Sequence, residues 1–201
     1  MTSIGTVRRL TMALVGIALV AAACGDDDGG GGATDGAAPA AEPFGAACSS
    51  IPATGSGSFE GMMTAPVGEA AAANPLLTSL AMDLELAGLV DTLNSAQALT
   101  VFAPSNDAFA EAGEMDPEAM DEMMADPTGG FADLLSYHVV EGQLEPGRLA
   151  GEHQTLQGDT LTVEGAGEDF TVNGSAMVVC GAIHTDNATV YVIDEVLHPM
   201  G

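Results

Sequence analysis

The stretch Leu99 to Ala110, LTVFAPSNDAFA, constrains the fold more than any other. Thr100, Val101 and Phe102 favour extended backbone and read as a short strand. Pro104 has no N–H to give to a ladder and ends that strand. Ser105 is placed to cap a helix, and Asp107 falls in its first turn, where the positive end of the helix dipole favours a carboxylate. Phe102 and Phe109 flank the corner and are expected to pack across it. A strand, a proline corner and a helix within a dozen residues join two layers, so the remaining chain must supply helices and strands that cover them. The stretch holds no nucleophile–base pair and no phosphate loop, and its role reads as architectural.

The 201-residue chain carries 29 acidic and 3 basic residues, a net charge of −26. It contains no lysine, and beyond Ala23 its only cation is Arg148. A nucleic-acid partner is excluded, because no basic patch can form to displace counterions. Charge-driven binding to anionic headgroups is excluded on the same ground. The acidity reads as a strongly solvated surface, suited to high salt and to loose, non-specific capture of divalent cations.

The N-terminus reads as an export signal, residues 1–23. Arg8 and Arg9 form its basic region, and Leu10 to Ala23 is an apolar run too short to span a bilayer as a free-standing helix. The run ends Ala21-Ala22-Ala23-Cys24, which resembles the lipobox of bacterial lipoproteins and makes Cys24 the expected lipidated residue. The usual leucine three positions before the cysteine is replaced by Ala21, so plain secretory cleavage after Ala23 is the alternative. Residues 24–47 then read as lipidated cysteine and acidic Gly/Ala tether. Gly25 to Pro43 is too poor in apolar groups to fold and has a reach of roughly 20–25 Å. A single domain is expected over 48–201, with its core at about 62–200.

With Cys24 set aside, Cys48 and Cys180 allow one intramolecular pairing in an oxidising compartment; two buried free thiols are the alternative. Along the domain, Met62 to Ala73 is consistent with a short helix, and Asn74-Pro75 reads as a cap followed by a helix start. Leu76, Leu80 and Leu84 are out of phase with Leu86, Leu89, Val90 and Leu93, which implies a break near Gly88. Asp116-Pro117 starts a methionine-bearing helix, and Phe131 to Ser136 forms another that runs into Tyr137-His138-Val139-Val140. Beyond it the pattern alternates. Leu161/Val163 and Phe170/Val172 form a hairpin across Glu164–Asp169, and Met177–Cys180 and Val190–Val196 are strands around an Asp186-Asn187 turn. Helices first and strands second is the order of an α+β fold.

LTVFAPSNDAF, LLSYHVVEGQL and ATVYVIDEVLHP, in this order and spacing, resemble the three sequence boxes of the fasciclin domain, over about Met62 to Met200. The resemblance extends to single-domain mycobacterial secreted and lipoprotein members, which share a cysteine ahead of the domain and another in a VVCG stretch, here Val178 to Gly181. It implies a helical layer on a seven-stranded wedge- or barrel-like sheet, a Cys48–Cys180 disulfide, and a non-catalytic adhesion or envelope-interaction role at the cell surface. Thr100, Phe102, Pro104, Asn106 and Phe109 are its structural box residues. The implied partner is an extracellular protein or glycan, with weak self-association as a further option and membrane contact through the lipid alone. Tyr137 and His138 match a box linked to partner binding in animal members. Read from its neighbours, His138 is instead expected to be buried and bonded to backbone, between two apolar pairs that face inward.

No cofactor or metal site is expected. His153, His184 and His198 lack two-ligand spacing, and Asp186-Asn187 lacks that of a calcium loop. Met115, Met120, Met123 and Met124 are expected to line a core or groove rather than to bind copper(I). No nucleophile elbow, zinc-protease motif or phosphate loop occurs. Two alternatives to adhesion remain: a carrier of a small apolar ligand in a groove between helices and sheet, and a hydrolase with a cryptic site.

Overall fold

The computed structural model describes residues 41–199; the export signal, Cys24 and the chain up to residue 40 lie outside them. The organising strand is β1, Leu99–Pro104, buried along its whole length. Leu99, Val101 and Ala103 face one core and Phe102 faces another, so the strand serves two hydrophobic layers. Its parallel neighbour β7, Ala188–Ile193, does the same, with Ala188, Val190 and Val192 on one side and Tyr191 and Ile193 on the other. Burial on both faces is why both strands read as continuous apolar runs.

Among the described residues eight helices and seven strands follow in chain order. Helices α1 (Phe59–Met62), α2 (Val67–Ala73), α3 (Thr78–Leu86) and α4 (Val90–Ser95) precede β1. Helices α5 (Asn106–Met115), α6 (Pro117–Ala125) and α7 (Gly130–Tyr137) follow it. Then come β2 (Val139–Glu141), α8 (Pro146–Leu149), β3 (Gly151–Gln154), β4 (Thr160–Ala166), β5 (Asp169–Val172), β6 (Ala176–His184) and β7. The sheet order is β2-β1-β7-β6-β5-β4-β3, antiparallel except for β1 against β7. A bridge from Val140 to Thr155, with Leu156 N–H donating to Val139 O at 2.7 Å, brings the two ends together into a nearly closed barrel. Closure leaves little ladder edge open to a foreign strand.

The first core lies between the helices and one face of the sheet; the second fills the barrel. The corner forms as the sequence implies: Pro104 is the last residue of β1, and Ser105 Oγ accepts from Ala108 N–H at 3.2 Å. The two phenylalanines do not meet across it. Phe102 stacks on Tyr191 inside the barrel at 5.9 Å, whereas Phe109, on the helix beyond the corner, packs against the first core. The β1 backbone alternates its side chains, so a residue of even number there is committed to the barrel.

Several boundaries differ from the sequence reading. The short helix expected over Met62 to Ala73 is two helices, with Pro66 at the N-terminus of the second. Asn74 is the C-cap of α2 and closes a turn by accepting from Leu76 N–H at 3.0 Å, so α3 starts only at Thr78. Gly88, at φ +69°, separates α3 from α4 as the phase change implies, although Leu86 points to solvent. In the hairpin β4–β5 the strands extend to Ala166 and Asp169, leaving a two-residue loop with Gly167 at φ +71° in its first position. The domain also begins before Cys48: Phe44 is buried against Phe170 and Tyr191, and Ala46–Ser50 forms a 3₁₀ turn. The residues from 41 to 47, read as tether, therefore belong to the fold.

Candidate functional site

Asparagines supply helix caps from a distance. The first turn of α3 has no cap of its own, so Ser79 N–H donates to Asn106 Oδ1 at 2.9 Å, and Asn106 Nδ2 donates to Pro75 O at 2.8 Å. Asn187 is buried beneath α2. Its Oδ1 accepts from Val67 N–H at 2.9 Å, while Nδ2 donates to Leu93 O and Ala96 O at 2.7 and 2.9 Å. Asn94 Oδ1 accepts from Gly68 N–H at 2.9 Å. Thr100, buried in β1, donates to Gly142 O at 2.6 Å and accepts from Leu144 N–H at 2.9 Å, bracing the chain after β2. The box residues Thr100 and Asn106 thus tie separate segments of the chain together.

Tyr137 and His138 end α7, and both side chains are buried. His138 Nδ1–H donates to Leu134 O at 2.9 Å, and Nε2 accepts from Leu197 N–H at 2.9 Å. Both ring nitrogens are satisfied only in the neutral Nδ1–H tautomer, because a second ring proton would point at the Leu197 donor. Burial pushes the ring pKa down from 6.5 to about 4; the bond to Leu134 opposes the shift and His198 adds to it. Tyr137 sends its hydroxyl into the barrel wall, donating to Thr160 O at 3.3 Å and accepting from Asn173 Nδ2 at 2.9 Å. Neither side chain is presented to a partner in this fold, so the pair acts as a pin joining α7, β4 and the chain after β7.

Cys48 and Cys180, 132 positions apart in sequence, form a disulfide with Cα atoms 5.0 Å apart. It fixes residues 41–48 to β6. Phe44 and Gly181 exchange backbone hydrogen bonds at 3.2 and 2.8 Å. The approach requires glycine on both sides: a Cβ at Gly181 would fall 2.4 Å from Phe44 Cζ, and one at Gly45, φ +104°, 2.3 Å from Val179 O. At the start of this strap Ala41 N–H donates to Glu145 Oε2 and Ala41 O accepts from His184 Nε2–H, both at 3.0 Å. Glu145 Oε1 lies 3.8 Å from His184 Nδ1.

Two cavities bear on ligand binding. The one between the helices and the sheet, bounded by Met62, Leu77, Leu80, Val101 and Ile183, has a volume of about 10 Å³. That is room for one water at most, so the space expected of an apolar-ligand carrier is filled by side chains. The other is an open groove of about 340 Å³ on the outer face of α3, α5 and α6, lined by Ser79, Met82, Asp83, Asn106, Phe109 and Met124. Met82 is 59% exposed and Met124 51%, and Leu86, one turn on from Met82, is 59% exposed. Partial burial raises the Asp83 carboxyl from 3.8 to about 6. Of the methionines expected to line a core or groove, Met124 lines this groove and Met115 faces solvent; the side chains of Met120 and Met123 lie outside those described. Sequence reasoning missed this groove, because three helices must assemble before its wall exists.

Among the described residues no three His, Cys, Asp or Glu side chains converge as metal ligands, and no helix is long and apolar enough to cross a membrane. His138, His153 and His184 each have a ring nitrogen tied to a backbone carbonyl.

The fasciclin domain family model matches residues 75–199. The cell surface glycolipoprotein MPB83 of Mycobacterium bovis is 44% identical over 169 residues, which cover 80% of this chain and 74% of that protein. The immunogenic protein MPB70 of the same species is 46% identical over 151 residues, 73% of this chain and 75% of its own. Protein sll1483 of Synechocystis is 33% identical over 132 residues, 65% of this chain and 72% of its own. A solved FAS1 domain pair from the insect cell adhesion molecule Fasciclin I has a TM-score of 0.61 at 17% identity, over 69% of this chain and 52% of that one, a likeness of fold. With the boxes at β1, at the end of α7 and at β7, and a family match over most of the described domain, this chain belongs to the fasciclin domain family.

Proposed function

We propose that the protein is an exported lipoprotein, held at the outer face of the cell membrane by lipid on Cys24, whose fasciclin domain works by binding rather than by catalysis. The observation that carries this reading is where the domain spends its polar side chains. Thr100, Asn106, Tyr137, His138 and Asn187 are bonded to backbone or to other side chains within the fold, and the cavity between the helices and the sheet bounded by Met62, Leu77 and Val101 is about 10 Å³. The outer surface, which carries the open groove of about 340 Å³, is the recognition surface in this reading. The names of its relatives, a cell surface glycolipoprotein and an immunogenic protein, support an envelope location, and Fasciclin I is described as a cell adhesion molecule. The expected partner is an extracellular protein or glycan.

Fractionation of cells making the wild-type and Cys24→Ala chains tests the anchor. Wild-type protein is expected in the membrane fraction, and the variant in the medium or unprocessed. A variant that is processed and still membrane-bound refutes lipid attachment at Cys24. Capture from envelope extract on the immobilised protein tests binding: a saturable partner supports the reading, and its absence from protein and glycan fractions alike refutes it.

A further inference from the structure

We propose that the groove between α3, α5 and α6 is a docking site for an amphipathic helix with a basic face, supplied by another polypeptide. The inference rests on the reading of the domain as a surface binding module and names the chemistry of its partner.

The groove combines an apolar floor with an acidic rim. Met82, Phe109 and Met124 form the apolar part, and Leu86 extends it by one turn along α3. Methionine is unbranched and polarisable, so such a wall adapts to the side chains laid against it. The α5 residues on the lining, Asn106, Phe109, Ala110 and Gly113, repeat at i, i+3, i+4 and i+7, and Ala110 and Gly113 among them have little or no side chain to fill the groove. One row over on the same helix stand Asp107 and Glu114, and one row over on α3 stands Glu85, all exposed. Asp83 lies in the groove itself, partly withdrawn from water.

Charge decides the occupant. A basic side chain reaching over the apolar floor would meet a carboxylate on either rim and another at the bottom. A second copy of this chain has no lysine to offer, and beyond Ala23 a single arginine, against a like net charge of −26. An anionic lipid or phosphate ligand meets the same repulsion. A helix with apolar residues at i, i+3, i+4 and i+7 and lysine or arginine beside them satisfies both the floor and the rim.

The test measures binding of a leucine–lysine helical peptide of about 18 residues in that pattern. A peptide of the same composition in scrambled order and a leucine–glutamate peptide serve as comparisons. The expected result is binding of the patterned basic peptide, weakened about tenfold by Met82→Ser/Met124→Ser and by Glu85→Gln/Glu114→Gln. Glu164→Gln/Glu168→Gln removes as much charge at the β4–β5 hairpin and is expected to change affinity less than about twofold. Equal binding of the scrambled peptide, equal sensitivity to the hairpin charges, or no effect of the methionine variant overturns the proposal. So does self-association through the groove. If the peptide fails to bind while the protein still captures an envelope partner, the groove assignment falls and the surface-module reading stands. Peptide bound at the groove without any envelope partner supports the groove and removes the wider reading.

Discussion

Replacing His138 by alanine separates a structural pin from a recognition residue. The ring is buried, donates to Leu134 O and accepts from Leu197 N–H. Its loss leaves the Leu197 N–H without an acceptor in a dry site, at about 1–3 kcal/mol. A void adds about 1–2 kcal/mol. At pH 7 the variant should therefore be less stable by roughly 2–5 kcal/mol, or about 4–20 °C in Tm for a domain of this size. The same geometry makes that gap depend on pH. In the unfolded chain the ring takes a proton near 6.5, and in the fold only near 4. Between those values the unfolded state binds more protons, so the ring's contribution is complete above 6.5 and is lost as pH falls toward 4. The shift corresponds to roughly 3 kcal/mol. Wild-type protein should lose this increment on acidification and His138→Ala should not, while every other titrating group is common to both. Thermal melts of the pair at pH 7.5, 5.5 and 4.5 should show the gap closing. A gap that stays constant across this range would falsify the pinned neutral ring. A normal melting temperature with lost cell attachment would promote Tyr137-His138 to a recognition site.

Three further outcomes follow from the same contacts. Tyr137→Phe strands Asn173 Nδ2 inside the barrel wall and should lower stability by about 1–2 kcal/mol, seen as a smaller drop in Tm than for His138→Ala. Asn187→Ala removes one acceptor and two donor contacts beneath α2 and should cost about 2–4 kcal/mol in urea unfolding, with amide exchange rising first at Val67, whose N–H loses its acceptor; an effect below about 0.5 kcal/mol would show that water replaces the side chain. Cys48→Ser/Cys180→Ser opens a closed loop of 132 positions and should cost roughly 2–5 kcal/mol; stability unchanged by reductant in the wild-type chain would contradict a closed bridge.

Local chemistry was legible in the sequence wherever one segment determines its own structure. The Pro104–Ser105 corner, the break at Gly88 and the β4–β5 hairpin follow from caps, phase and turn residues a few positions apart. The burial of His138 also followed from its neighbours, because apolar pairs on both sides leave a ring at the end of α7 no route to solvent. What escaped were interactions between distant segments. Asn106 and Asn187 look like ordinary turn and cap residues in sequence, yet they cap helices 27 and 120 positions away. Asn74-Pro75 carries a strong start signal, but the backbone spends Asn74 on ending α2 first. Phe109 was paired with the wrong core because strand alternation and helix phase are set independently on either side of the corner. Phe44 was assigned to the tether because a lone aromatic in a Gly/Ala stretch has no periodicity to reveal that it packs.

The strap from Ala41 to Cys48 also governs how the domain would carry mechanical load. Tension on the chain ahead of Ala41 meets the Glu145–His184 clasp first and the Phe44–Gly181 bridge next, two sets of hydrogen bonds that can yield and re-form. At Cys48 it meets a covalent bond and passes into Cys180, on a strand flanked on both sides by neighbours. The pull is delivered to the middle of the sheet rather than to an edge, where a ladder would open one bond at a time. A domain held this way gives a few residues of slack under load and then stops.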